Sequence, residues 1–199
     1  PVMKFLPSLL VTLASLLSGS LVAQIGFTKR TDLLTPANHY SGIAIGVTDV
    51  NGDGLDDIIR LNQGKELSVS YQTAPNQPFT LQELESVSNE SQWGMCAADV
   101  DNNGYTDFMS GGSYDGIKFI TANEDGSVYN MVNMTAPQTF VQNVNFADVN
   151  NDGWLDAFVC HDDGVARIFG NNGDGTFTYQ QNWINLTTVP ASDNSGNYG

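Results

Sequence analysis

The sequence predicts an all-β fold built from β-propeller blades of about 50 residues each. Three observations predict it. A nine-residue acidic loop recurs at a near-constant interval, strand-like runs follow each copy at matching offsets, and no helical apolar spacing persists over three turns after Gln24.

The loops are DVNGDGLDD from Asp49, DVDNNGYTD from Asp99 and DVNNDGWLD from Asp148, so successive copies start 50 and 49 residues apart. A short apolar or small-residue stretch precedes each: GIAIGVT, WGMCAA and NVNFA. A β-type run follows each: IIRL from Ile58, FMSG from Phe108 and AFVC from Ala157. After a turn comes a second run: LSVSYQ, IKFITA or ARIFG. An aromatic position then closes the unit at Phe79, Tyr129 and Phe177, which lie 22, 22 and 21 residues beyond the last loop aspartate. The runs are short, rich in Val, Ile, Phe and Tyr, and bounded by Gly, Asn, Asp and Pro, which is strand chemistry.

Three or four antiparallel strands in a unit of this length form a propeller blade, which needs neighbours to bury its two faces. The repeats run from about 38 to 89, 90 to 138 and 139 to 186, and 187–199 reads as the lead-in to a missing fourth. A propeller closes with four or more blades, so three are expected to be part of a longer protein.

The N-terminus is a different material. Met3 and Lys4 open an apolar run that passes through Pro7 and several serines to small residues before Gln24. That is the layout of a secretory signal peptide over 1–23, cut after Ala23 or Ser20, and the run is too interrupted for a good membrane span. A secreted or cell-surface location is expected, with no membrane span after cleavage. Two cysteines, Cys96 and Cys160, are too few for a disulfide-stapled scaffold; two buried thiols fit their non-equivalent positions better than a bridge. With 7 Lys+Arg against 22 Asp+Glu, a net charge of −15, the chain lacks the basic footprint that a nucleic acid requires.

Each acidic loop obeys Asp-x-(Asp/Asn)-x-(Asp/Asn)-Gly-x-x-Asp. Oxygen side chains fall at Asp49, Asn51, Asp53 and Asp57, at Asp99, Asp101, Asn103 and Asp107, and at Asp148, Asn150, Asp152 and Asp156. Glycine occupies position 6 each time, and the backbone carbonyl at position 7 (Leu55, Tyr105, Trp154) adds an oxygen. Such a six-to-eight oxygen shell suits Ca²⁺ better than Mg²⁺, giving up to three sites, and the lack of His and Cys argues against zinc and copper. An EF-hand is rejected because position 12 is Arg60, Ser110 or Val159 and the flanks are strands. The competing reading is a set of Asx turns whose side chains bond only their own backbone. Three copies in register, with every oxygen position filled, favour the cation.

These loops, with the trailing NNGDGTF, resemble FG-GAP/VCBS-type repeats, as in the integrin α-chain N-terminal propeller, over roughly residues 38 to 199. The resemblance implies a seven-bladed propeller with calcium on the loops between blade strands, in secreted or surface-attached proteins. Asn103 stands where a third acid is common, which implies a weaker second site.

Catalysis finds no constellation. Cys160, His161 and Asp162 are neighbours on one strand and point to opposite faces, so His161 to Gly164 reads as a hairpin turn. There is no Gly-x-Ser-x-Gly elbow and no phosphate loop. The expected role is an adhesion or ligand-binding module for a protein or carbohydrate ligand, with Tyr40, Trp93, Tyr114 and Trp183 as candidate aromatic contacts. The alternative is the non-catalytic scaffold of a secreted enzyme whose catalytic part lies outside this sequence.

Overall fold

A computed structural model describes residues 26–35, 45–62 and 65–185. The signal-peptide segment and Tyr40 lie outside the described residues. Two compact units divide the chain at Arg30. In the first, residues 26–30 are exposed and irregular. The second starts at Thr31. Among the described residues no helix is long and apolar enough to cross a membrane.

Twelve strands form three sheets of four, each a meander in sequence order. Sheet 1 holds β1 (Ile45–Thr48), β2 (Asp57–Asn62), β3 (Glu66–Tyr71) and β4 (Thr80–Ser86). Sheet 2 holds β5 (Gln92–Ala98), β6 (Asp107–Gly112), β7 (Ile117–Ala122) and β8 (Tyr129–Asn133). Sheet 3 holds β9 (Val141–Ala147), β10 (Asp156–His161), β11 (Arg167–Asn171) and β12 (Phe177–Tyr179). Every pairing is antiparallel, so each sheet is one blade, and each acidic loop joins a blade's first strand to its second.

Strand periodicity explains how the blades stack. Successive residues of a strand point to opposite faces. In the middle blade Phe108 pairs with Ile120 and Met109 with Phe119. Phe108 and Ile120 turn towards blade 1, where they join Ile59, Leu61, Leu67 and Val69. Met109 and Phe119 turn towards blade 3 and join Val141, Ala157, Val159 and Phe169. The middle blade is thus covered on both faces, and all six residues of β6 are buried. Burying each large apolar side chain contributes about 1.5–3 kcal/mol, so the seams between blades hold the fold together.

The first strands of blades 2 and 3 approach closely. A Cβ on Gly94 would lie 2.8 Å from Asn143 Cα, so β5 reaches β9 only because residue 94 has no side chain. At the same end, Ser113 makes an isolated antiparallel bridge to Phe140, stitching the β6–β7 turn to the start of blade 3.

Candidate metal centre

The three loops share one framework of backbone-to-side-chain hydrogen bonds, because similar residue types recur at the same positions. The first aspartate curls the loop around itself. Asp49 Oδ2 accepts from Gly54 N at 2.7 Å, Asp99 Oδ2 from Gly104 N at 2.9 Å and Asp148 Oδ2 from Gly153 N at 3.0 Å. The other oxygen of each accepts from the position-5 amide at 3.1 Å. Gly54, Gly104 and Gly153 have φ of 84°, 90° and 93°, a left-handed turn that costs a side-chain-bearing residue about 1–2 kcal/mol.

Position 4 is left-handed as well, at Gly52, Asn102 and Asn151. The loop pattern leaves position 4 open and so does not mark this second turn. Its signal was present in the Gly, Asn and Asn at that position, the residues that tolerate positive φ.

Position 9 has a role beyond a ligand. Asp57, Asp107 and Asp156 are fully buried. One oxygen of each accepts from the amide at loop position 2, at 3.0, 3.1 and 2.9 Å. The other accepts from an amide at the end of the third strand: Gln72 at 2.8 Å, Ala122 at 2.9 Å and Asn171 at 2.9 Å. One carboxylate therefore ties the loop's first half to the far strand. Burial raises the Asp107 carboxyl to about 6 against two lowering amide bonds, helped by the charges of Asp101 and Asp99. Asp57 is raised in the same way, first by burial and then, among the raising influences, by Asp53 and Asp49.

The Asx-turn hydrogen bonds are present too. Asn51, Asp101 and Asn150 accept from the position-5 amide, while Asp53, Asn103 and Asp152 accept from the position-7 amide. They do not exclude a cation, because each side-chain oxygen, carboxylate or amide, has two lone pairs.

Loop 2 brings three carboxylates together. Among the described residues, the one group of three acids with ligand oxygens all within 4.8 Å of one another is Asp99, Asp101 and Asp107. Oxygens bound to one Ca²⁺ at about 2.4 Å can be no more than about 4.8 Å apart, so this spacing fits a single ion. The loop whose Asn103 implies a weaker site is the one in which three carboxylates converge. Residue type supplies the reason: position 3 is Asp101 in loop 2 but Asn51 and Asn150 in the other two. The turn at Gly175 of blade 3 lies over Asp101, and Asn103 Nδ2 is drawn off to Ala122 O at 3.1 Å and Asp101 Oδ2 at 3.3 Å.

Two of the position-7 side chains pack against a later turn of their own blade. Tyr105 packs against the turn at Gly126 and Trp154 against the turn at Gly173. Of the other aromatic candidates, Trp93 and Tyr114 are partly exposed at the opposite end of the blades, and Trp183 lies over Gly170. Cys96 and Cys160 are free, and burial pushes both thiols up. His161 ends β10 and Asp162–Asp163 forms the turn that follows.

Three copies of a four-stranded meander, each with an acidic loop between its first two strands, define a repeat protein of the β-propeller class. Family comparison specifies which one. The FG-GAP-like repeat matches three overlapping segments, 49–110, 99–159 and 148–197, each starting on the first aspartate of a loop. The chain belongs to the FG-GAP-like repeat family. No curated protein matches it.

Proposed function

We propose that this chain is an exported ligand-binding or adhesion module whose acidic loops hold Ca²⁺, with the ions fixing the blades rather than driving a reaction. The observation that carries the reading is the convergence of Asp99, Asp101 and Asp107 oxygens within 4.8 Å. The ligand sets are Asp49, Asn51, Asp53, Leu55 O and Asp57; Asp99, Asp101, Asn103, Tyr105 O and Asp107; and Asp148, Asn150, Asp152, Trp154 O and Asp156. The bound cation neutralises carboxylates that otherwise repel one another across a narrow turn.

The magnitude supports a structural role. Extracellular calcium modules bind at about 10⁻⁴ to 10⁻³ M. At free calcium about ten times Kd, linkage adds roughly 1.4 kcal/mol per site, and about 4 kcal/mol for three. That is a large share of the 5–15 kcal/mol typical of a domain. The test is thermal unfolding with calcium and with chelator. Calcium raises Tm in the parent chain, and Asp49→Ala, Asp99→Ala and Asp148→Ala together abolish the rise. A parent chain whose melting ignores calcium would end the metal reading.

A further inference from the structure

We infer that the end of blades 2 and 3 remote from the acidic loops carries a binding platform for neutral saccharide, built on Trp93, Phe140 and Tyr114. This deepens the ligand-binding reading above and rests on it.

The platform is assembled by the backbone. Trp93 occupies the irregularity where the β5–β6 register shifts between Gln92 and Gly94, which turns its ring out of the sheet, and it is 36% exposed. Phe140 is placed beside it by the bridge to Ser113, and its carbonyl accepts from Asp162 N at 2.9 Å. The Trp93 and Phe140 rings meet edge to face at 5.5 Å, and Tyr114 continues the row at 5.6 Å from Phe140. Three rings from two blades thus form one surface.

Tyr114 is held there against its own preference. Its φ is +61°, a genuine outlier for a bulky residue, yet its ring is 41% exposed. Its amide donates to Gly112 O at 3.0 Å, and its hydroxyl donates to Asp163 of the neighbouring blade. Strain of this kind persists where surrounding contacts over-determine it, and it clusters at ligand clamps. Phe140 at 5.6 Å, His161 at 6.5 Å and the hydroxyl bond to Asp163 fix the ring, and a ring so fixed meets a ligand without further ordering.

The charges at the rim select the ligand. An anion is opposed by the chain's net charge of −15. A cation finds the nearest acids already engaged. Asp115 pairs with Lys118 at 2.7 Å, and Asp163 accepts the Tyr114 hydroxyl with His161 Nδ1 3.1 Å away. Arg167 and Asp162 act on His161 with opposite sign. What remains is a near-neutral rim of donors and acceptors around partly exposed aromatic rings. A pyranose matches it: apolar C–H faces for the rings and hydroxyls for the rim.

The experiment uses the full chain saturated with calcium. Tryptophan fluorescence and calorimetry are followed during titration with cellohexaose, chitohexaose and maltohexaose, with decalysine and polygalacturonate as charged probes. At least one neutral hexasaccharide is expected to bind saturably, and Trp93→Ala to weaken it at least tenfold. Tyr114→Gly is the decisive variant, because glycine accepts φ +61° and the fold is kept while the ring is lost; it too weakens binding at least tenfold. Met131→Ala, an exposed apolar side chain on β8 away from the row, leaves binding unchanged. Saccharide binding that survives both Trp93→Ala and Tyr114→Gly overturns the platform, as does binding of decalysine or polygalacturonate in its place. Calcium-dependent melting without saccharide binding overturns the platform alone. Saccharide binding without any calcium effect on melting overturns the metal reading alone.

Discussion

The Thr106 hydroxyl donates to the backbone carbonyl of Asp49 at 3.0 Å, and the Thr106 amide donates to Val50 O at 3.1 Å. Two hydrogen bonds from one residue of the second acidic loop therefore grip the first two residues of the first loop. Thr106 precedes Asp107, the acid that ties loop 2 to its own blade. The loops are a connected row, so what orders one is felt by the next.

Replacing Thr106 by Val keeps the shape and the amide bond but removes the hydroxyl. Asp49 O then loses a donor, and the expected loss is about 0.5–1.5 kcal/mol in a urea melt. Thr106→Ser retains the hydroxyl and should recover most of that difference. A valine variant as stable as the parent would show that the bond contributes nothing.

The second seam uses a different residue for the same task. Asn171 Nδ2 donates to Val100 O at 2.8 Å and to Leu155 O at 3.1 Å, while its Oδ1 accepts from Gly173 N at 2.9 Å. Asn171→Ala leaves two buried or half-buried carbonyls and an amide without partners. A destabilisation of about 1–3 kcal/mol is expected, larger than for Thr106→Val. Equilibrium unfolding of the two variants side by side checks the order.

Much of this fold was legible because it is repeated. The spacing of Asp49, Asp99 and Asp148 exposed the blade, and the runs after them located the second and third strands of each sheet. The seams were not legible, for a physical reason. Thr106 and Asn171 are single-copy solutions: their counterparts are Asp56 and Leu155, and Gln72 and Ala122, so no repeat marks them. The double backbone role of Asp57, Asp107 and Asp156 was hidden for another reason. A buried acid that accepts two amides and an acid aimed at a cation look identical in a one-dimensional pattern. Trp93 and Tyr114 could be named as exposed aromatics, but the row they form depends on a bridge between blades that only folding creates.

Calcium dependence should be graded among the loops. Asp101→Asn, Asp53→Asn and Asp152→Asn each remove one charge without changing shape. Because loop 2 holds the closest acids, Asp101→Asn is expected to remove the largest share of the calcium-induced rise in Tm. If the rise falls most with Asp53→Asn or Asp152→Asn, the tight acid spacing in loop 2 does not govern affinity.

Acid should weaken the seam at His161. Burial, and then the charge of Arg167, hold this imidazole below its ordinary 6.5, against the opposing pull of Asp163 and Asp162. The unfolded chain therefore takes up the proton at higher pH than the folded one. The stabilisation is complete above about 6.5 and is lost as pH falls through that value towards the folded pKa. Melting the parent and His161→Gln in chelator at pH values between about 7.5 and 5 isolates the effect, since the aspartates titrate in both. The parent should lose more stability than the variant; equal losses would remove His161 from the account.

Gly94 gives the sharpest geometric prediction. A methyl group there would sit 2.8 Å from Asn143 Cα, 3.0 Å from Asn143 C and 3.1 Å from Val144 N. All three are backbone atoms, which cannot rotate aside as a flexible side chain can. Gly94→Ala must therefore push β5 away from β9, and the displacement opens the packing of Met109 and Phe119 against Val141 and Val144 behind it. Overpacking of this kind typically costs about 1–3 kcal/mol, and it outweighs the gain of up to about 1 kcal/mol from restricting the unfolded chain. The same substitution at Gly26, where nothing lies within 4 Å, provides the control and should leave stability unchanged. Chemical unfolding of both variants decides it: a Gly94→Ala chain as stable as the parent would mean that the two inner strands do not meet as described.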